Sequence, residues 1–203
     1  MDGKFQNKYR NTSTRLQYWD YGWNAPYFVT ICTKNREHYF GKIVNGEMNL
    51  SEIGGIAESE WLKTPDIRPD MNLELGAFVV MPNHFHCIVI IGNNKYNHRD
   101  GNGIGGVVDG RGAMHCAPTD TDMDTNTKTK IKNKFGPQRK NLASIIRGYK
   151  TGVKKYATMN NIDFKWQPLY NDHIIRDKQS FDRIRNYINA NIKNWGKDDF
   201  YQK

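Results

Sequence analysis

With 203 residues, the chain suits one domain of ordinary size, or one domain carrying an excursion. Mean hydropathy is low, no stretch approaches the length of a membrane span, and no signal-like apolar run follows Met1, so a soluble cytoplasmic protein is expected rather than a membrane or exported one. Thirty Lys and Arg against twenty-one Asp and Glu give a net charge of +9, a balance that favours a polyanionic partner such as nucleic acid, although a solvated basic surface needs none.

Residues 1–20 are polar, carry Lys4, Lys8, Arg10 and Arg15, and read as a basic N-terminal arm. Residues 21–203 then read as a single domain. Tyr27 to Thr33 is rich in β-branched and aromatic residues and predicts the first strand. Gly41 to Asn49 is turn-rich and predicts a short hairpin. Ser51 is placed to cap a helix carrying Ile53, Ile56, Ala57 and Trp61, which Pro65 and Pro69 end. Leu73 to Met81 and His84 to Ile91 predict two strands joined at the Pro82-Asn83 turn.

From about residue 92 to 138 apolar periodicity disappears, and the segment holds eight of the eighteen glycines. It is predicted to be a long mobile insertion rather than a second domain. The three cysteines, Cys32, Cys87 and Cys116, have unrelated spacings and suit neither a disulfide framework nor a paired-cysteine zinc site; His115-Cys116 is read as incidental. Periodicity returns at Asn141, where Leu142, Ile145, Ile146, Tyr149, Val153 and Tyr156 line one face of a predicted helix. Arg147, Lys150 and Lys154 share another face. A short extended piece is expected between Trp166 and Arg176. Asp177 then caps a last helix, about Lys178 to Asn191, with Phe181, Ile184 and Ile188 as its buried stripe.

Two features carry chemistry. His84 and His86, one residue apart on an apolar strand, point to the same side, while Phe85 turns to the other with Cys87 and Val89. Such a pair can hold a divalent metal with positions left open, and equally describes two half-exposed histidines on an ordinary strand. On the last helix Arg183, Tyr187 and Asn191 fall four residues apart on one face, at the margin of the buried stripe. Tyr187 can serve as a nucleophile against a phosphate polarised by the metal, with Asn191 offering an amide oxygen to the same ion. The competing description of Tyr187 is an amphipathic residue at a helix edge.

Four blocks in order turn these into a pattern. They are Tyr27 to Thr33 with Arg36 after it, Val80-Met81-Pro82-Asn83-His84-Phe85-His86-Cys87, Leu142 to Lys150, and Trp166-Gln167 through Asp172-His173-Ile174-Ile175-Arg176 to Arg185-Asn186-Tyr187-Ile188. The chain resembles the single-tyrosine HUH transposases, and among them the REP-associated tyrosine transposases, over Tyr27 to about Trp195, with the 92–138 segment poorly matched.

The resemblance implies an α+β, ferredoxin-like HUH endonuclease fold: an antiparallel sheet flanked by helices, with the histidine pair on a central strand. It implies metal-dependent cleavage of single-stranded or hairpin DNA and strand transfer through a 5′-phosphotyrosine at Tyr187. His84, His86 and Asn191 would be the metal ligands. Magnesium or manganese suits such a nitrogen and oxygen site. No nucleotide cofactor is needed, and no phosphate-binding glycine loop is present. Arg147, Lys150, Lys154, Arg176, Arg183 and His173 are the expected DNA contacts, with Trp166 to stack a base.

Two departures stand out. Relatives often have Asn-Pro where this chain has Asn191-Ile192, and Asn171 follows Tyr170 in a stretch of variable aromatic content; Tyr170 itself, near His173 but outside the last helix, is a rival nucleophile. The alternatives are a replication or conjugation nickase with the same chemistry, and a non-catalytic nucleic-acid-binding module. Monomer and homodimer remain equally compatible with the sequence.

Overall fold

The computed structural model describes residues 15–16, 19–97 and 139–201. Most of the predicted basic arm and of the predicted insertion lies outside these residues, as does His115-Cys116. Gly92 to Asn97, which the sequence reading joined to the insertion, turns back over the sheet end: the Asn94 amide donates to the carbonyls of Met71 and Gly92, and Asn97 to that of Gly22.

A four-stranded antiparallel sheet organises the chain. Strands β1 (Ala25–Cys32), β4 (Leu73–Met81), β5 (His84–Ile91) and β6 (Asn171–Ile174) lie in the order β4-β5-β1-β6. Helix α1 (Glu52–Leu62) connects β1 to β4, and α3 (Leu142–Met159) connects β5 to β6. This is the split β-α-β-β-α-β arrangement, which accounts for β5 and β1 being central. A separate hairpin, β2 (Gly41–Val44) with β3 (Glu47–Leu50), turns at Asn45 and Gly46 with φ of 54° and 79°. Two left-handed residues in a row match the hairpin twist, as Asn-Gly pairs do.

Capping follows the local rules. Ser51 accepts from the Gly54 amide at the start of α1, and Asn141 and Ser144 form a reciprocal pair at the start of α3. The prolines behave differently from expectation. α1 ends at Leu62, before Pro65, and Pro65 sits in the first turn of a short second helix, α2 (Thr64–Ile67). A proline at that position loses no helical hydrogen bond, so it opens a turn as readily as it stops one.

The sheet is covered on both faces, because its strands alternate between two apolar sets. One face presents Tyr27, Val29 and Ile31 of β1 with Phe85, Cys87 and Val89 of β5 to α1 and α3, where Trp61, Ile145, Tyr149 and Val153 complete the main core. The Phe85 ring lies 5.2 Å from Tyr149 and 5.3 Å from Trp61, centroid to centroid. The opposite face carries a smaller cluster. There Ile88 meets Ile175 and the stripe of helix α4 (Lys178–Ala190), Ile184 and Ile188, flanked by Phe28, Val79, Ile90 and Phe181. Asp177 caps α4 by accepting from the Ser180 amide.

Among the described residues no helix is long and apolar enough to cross a membrane. We predict that Ile188→Ala, which empties a fully buried site in the smaller cluster, lowers unfolding stability by about 2–4 kcal/mol in a urea titration. A loss well under about 1 kcal/mol would show that α4 is not held by this seam.

Candidate active site

The strand register builds the site. His84 pairs with Cys32 and Met81, and His86 pairs with Thr30 and Val79, so both imidazoles emerge on the α4 face where Ile88 continues the row. Both are buried: His84 is fully covered and His86 is 1% exposed. Their ring centroids are 4.5 Å apart.

Burial fixes their charge. It pushes the His84 pKa down to about 2, with the neighbouring His86 and then Arg36 adding to the effect, and the His86 pKa down to about 3. Neutral imidazole is the metal-ligating form.

Hydrogen bonding fixes the tautomer of His84. The Asn83 amide nitrogen donates to the Phe200 carbonyl at 2.8 Å, an acceptor only, so the Asn83 oxygen must face His84 Nδ1, also at 2.8 Å. That oxygen can only accept. The proton of His84 therefore sits on Nδ1 and the lone pair on Nε2. For His86, the Thr30 hydroxyl lies 2.8 Å from Nδ1 and the Tyr187 hydroxyl 3.2 Å from Nε2. With Thr30 accepting from Nδ1, His86 also offers its Nε2 lone pair, and the Tyr187 phenol can donate to it.

Helix α4 brings the remaining partners. Tyr187 is 44% exposed, and its ring meets Phe28 and His86 edge-on at 6.2 and 5.3 Å. Burial, and then the Asp198 carboxylate, raise its pKa, while the Asn191 amide acts in the opposite direction. Asn191, one turn later, caps the C-terminal end of α4 and is buried. Two buried polar atoms here have no hydrogen-bond partner: His84 Nε2 and Asn191 Oδ1. Buried orphans of this kind are costly unless something completes them.

The chain also supplies a carboxylate that the sequence reading missed. His84, His86 and Asp198 form a group able to hold a metal ion, their ligand atoms all lying within 4.8 Å of one another. Asp198 follows the 3-10 turn Trp195–Lys197; one of its oxygens accepts from the Phe200 amide, which leaves the other available. The Phe200 ring lies 4.6 Å from that of His84 and Trp195 5.9 Å from it. No motif or periodicity marks Asp198 in the sequence. Two neutral imidazoles and one carboxylate are a donor set that can bind a divalent ion.

The expected DNA contacts divide between the two faces of the sheet. Arg183 is exposed on α4, and His173 is exposed on β6 opposite Phe28, on the histidine side. Arg176 follows β6 and is half-buried. Arg147, Lys150, Lys154 and Trp166 lie across the sheet from the histidines, bordering a groove of about 640 Å³. There the Lys150 ammonium donates to the carbonyls of Gln167 and Leu169, and that of Lys154 to Phe164. Burial lowers the pKa of Lys150.

Trp166 donates its indole N–H to the Lys150 carbonyl and packs against Phe40, Tyr149 and Phe164. These residues thus tie the 164–169 segment to α3. The rival Tyr170 is on that side as well. Its hydroxyl is buried without a partner, the Arg15 guanidinium lies 4.8 Å from its ring centre, and burial above all pushes its pKa up to about 12.

No family model matches the chain. It is 32% identical over 193 residues to an uncharacterized protein of Haemophilus influenzae, covering 93% of this chain and 92% of that one. Among solved structures, that of a REP-associated tyrosine transposase bound to a REP hairpin shares the fold, with a TM-score of 0.53 over 92% of this chain and 75% of the other at 17% identity.

Thr30→Val keeps the shape of the side chain and removes the hydrogen bond to His86. We predict a loss of manganese affinity of about 10–100-fold by titration calorimetry, the usual effect of deleting a hydrogen bond that orients a ligating histidine. Unchanged affinity would mean that His86 is positioned by packing alone.

Proposed function

We propose that this chain, which belongs to one family with the Haemophilus influenzae protein, is a metal-dependent transposase-type enzyme that cleaves single-stranded or hairpin DNA and transfers strands. The observation that carries this reading is the Tyr187 hydroxyl standing 3.2 Å from Nε2 of His86, on a helix seated over the histidine face. A tyrosine used only for packing has no need of two buried, neutral imidazoles and a carboxylate beside it. The shared fold with a hairpin-bound tyrosine transposase supports the same substrate class.

In the proposed reaction Tyr187 attacks a DNA phosphodiester. The bond from Oη to phosphorus forms and the bond from phosphorus to the 3′-oxygen breaks. The phenolic proton leaves to solvent, and the departing 3′-oxygen takes one up as a free hydroxyl. The 5′-phosphate stays on Tyr187. A 3′-hydroxyl of another strand then attacks that phosphorus and releases the tyrosine, so the ester bond is conserved and no nucleotide is consumed. His84, His86 and Asp198 would hold the divalent metal, with Asn191 the further oxygen donor. The ion, when bound, neutralises phosphate charge and fixes the line of attack.

The chain's own residues do the rest. Asn83 keeps the Nε2 lone pair of His84 unprotonated, Thr30 orients the His86 ring through Nδ1, and the seam of Ile184 and Ile188 holds the tyrosine over the pair. The half-exposed phenol leaves room for a strand to enter. Arg183, Arg176 and His173 are the proposed contacts on the histidine side. Arg147, Lys150, Lys154 and Trp166 are proposed as a second strip for a hairpin that reaches round the domain edge.

The test is a covalent-adduct assay with labelled hairpin DNA, in manganese or with chelator, on a denaturing gel. Wild type is expected to give a metal-dependent shifted band that Tyr187→Phe abolishes. A band surviving that substitution would move the nucleophile elsewhere, while tight hairpin binding without any band would favour the non-catalytic module.

A further inference from the structure

The segment after β1 holds two residues in the left-handed region. Asn35 and Arg36 are consecutive non-glycine residues in the left-handed region, with φ of 53° and 59°. Such residues are uncommon outside glycine and persist only where their surroundings hold them. Here they do. The Thr33 hydroxyl reaches the carbonyls of Glu37 (2.7 Å) and Asn83 (2.9 Å), the Thr33 amide donates to Asn83, and the Phe40 amide donates to Pro82. The strained turn is thus tied to the Pro82-Asn83 turn that opens β5 at His84.

It presents a guanidinium. The Arg36 carbon Cζ sits 4.0 Å above the centre of the Phe200 ring, and that ring lies 4.6 Å from His84. Among the described residues no ion pair or side-chain hydrogen bond engages it. Stacking uses the face of a guanidinium and leaves its in-plane N–H donors free, the geometry that meets phosphate oxygens in pairs. A guanidinium braced by a strained turn at the edge of the proposed phosphate-transfer site is available to the anion that the reaction brings.

We propose that Arg36 contacts the non-bridging oxygens of the scissile phosphate and stabilises the charge that builds there as Tyr187 attacks. This rests on the reading under Proposed function and adds a residue to it. The guanidinium would act directly on the reacting group, in parallel with the histidines and not through them.

Arg36→Asn and Arg36→Lys separate this role from a structural one. Asparagine accepts the left-handed conformation, so the turn survives without the charge; lysine keeps the charge without the fork. Adduct formation is measured in single turnovers at saturating hairpin DNA, with manganese affinity read separately by calorimetry.

The expected result is a rate lower by about 100-fold or more in Arg36→Asn, partial recovery in Arg36→Lys, and manganese affinity equal to wild type in both. An Arg36→Asn rate within about threefold of wild type would overturn the proposal. So would a rate loss that tracks lost manganese affinity in both variants, since Arg36 would then be only a brace. A wild-type protein that forms no adduct would instead remove the underlying reading, an outcome seen before either variant is compared.

Discussion

Everything in this molecule depends on the pairing of β5 with β1 across the centre of the sheet. The register places Thr30 against His86 and Cys32 against His84, while Val29 and Ile31 stand against Cys87 and Phe85. Since successive side chains leave a strand on opposite sides, one row becomes core and the other becomes chemistry. A slip of one residue would exchange them, burying the imidazoles under α3 and exposing Phe85. The large aromatic core on the α1 and α3 side therefore does more than stabilise the fold. It holds the register that puts two histidines under the tyrosine helix.

The second constraint is electrostatic. A buried histidine is tolerable only when neutral, and a neutral histidine has one proton to place on two nitrogens. The Phe200 carbonyl settles the orientation of the Asn83 amide, and that amide settles the proton of His84. The C-terminal segment thereby influences a strand far from it in sequence. The same segment brings Asp198, so the carboxylate and the tautomer arrive together.

The sequence made much of this visible, and the reasons differ by residue. His84, His86, Tyr187 and the stripe of Ile184 and Ile188 sit in regular elements, where periods of two and of about 3.6 convert spacing into direction. The caps Ser51 and Asp177 were readable because each side chain answers the amide three residues on. Asp198 was not readable. It lies beyond the last helix, in a turn whose path is set by Trp195 and Phe200 packing near the histidines. The twofold duty of Asn83 was hidden likewise, since a turn asparagine and a residue that orients a ligand look alike in one dimension. Lys150 and Lys154 show the converse: helical spacing placed them on one face correctly, but only the structure shows their ammonium groups bound to backbone carbonyls.

The two clusters of apolar residues differ greatly in size, and the difference falls on the tyrosine. The main core joins α1 and α3 to the sheet through some twenty buried side chains, whereas α4 rests on the four buried isoleucines Ile88, Ile175, Ile184 and Ile188. Local stability follows buried apolar contact, so a protein opens piecewise, its least anchored unit first. In this chain helix α4, which carries Tyr187, rests on the smaller of the two clusters. Amide hydrogens of α4 should exchange through small openings that leave the sheet, its register and both imidazoles in place. The arm that carries the tyrosine can therefore swing while the anvil beneath it stays fixed.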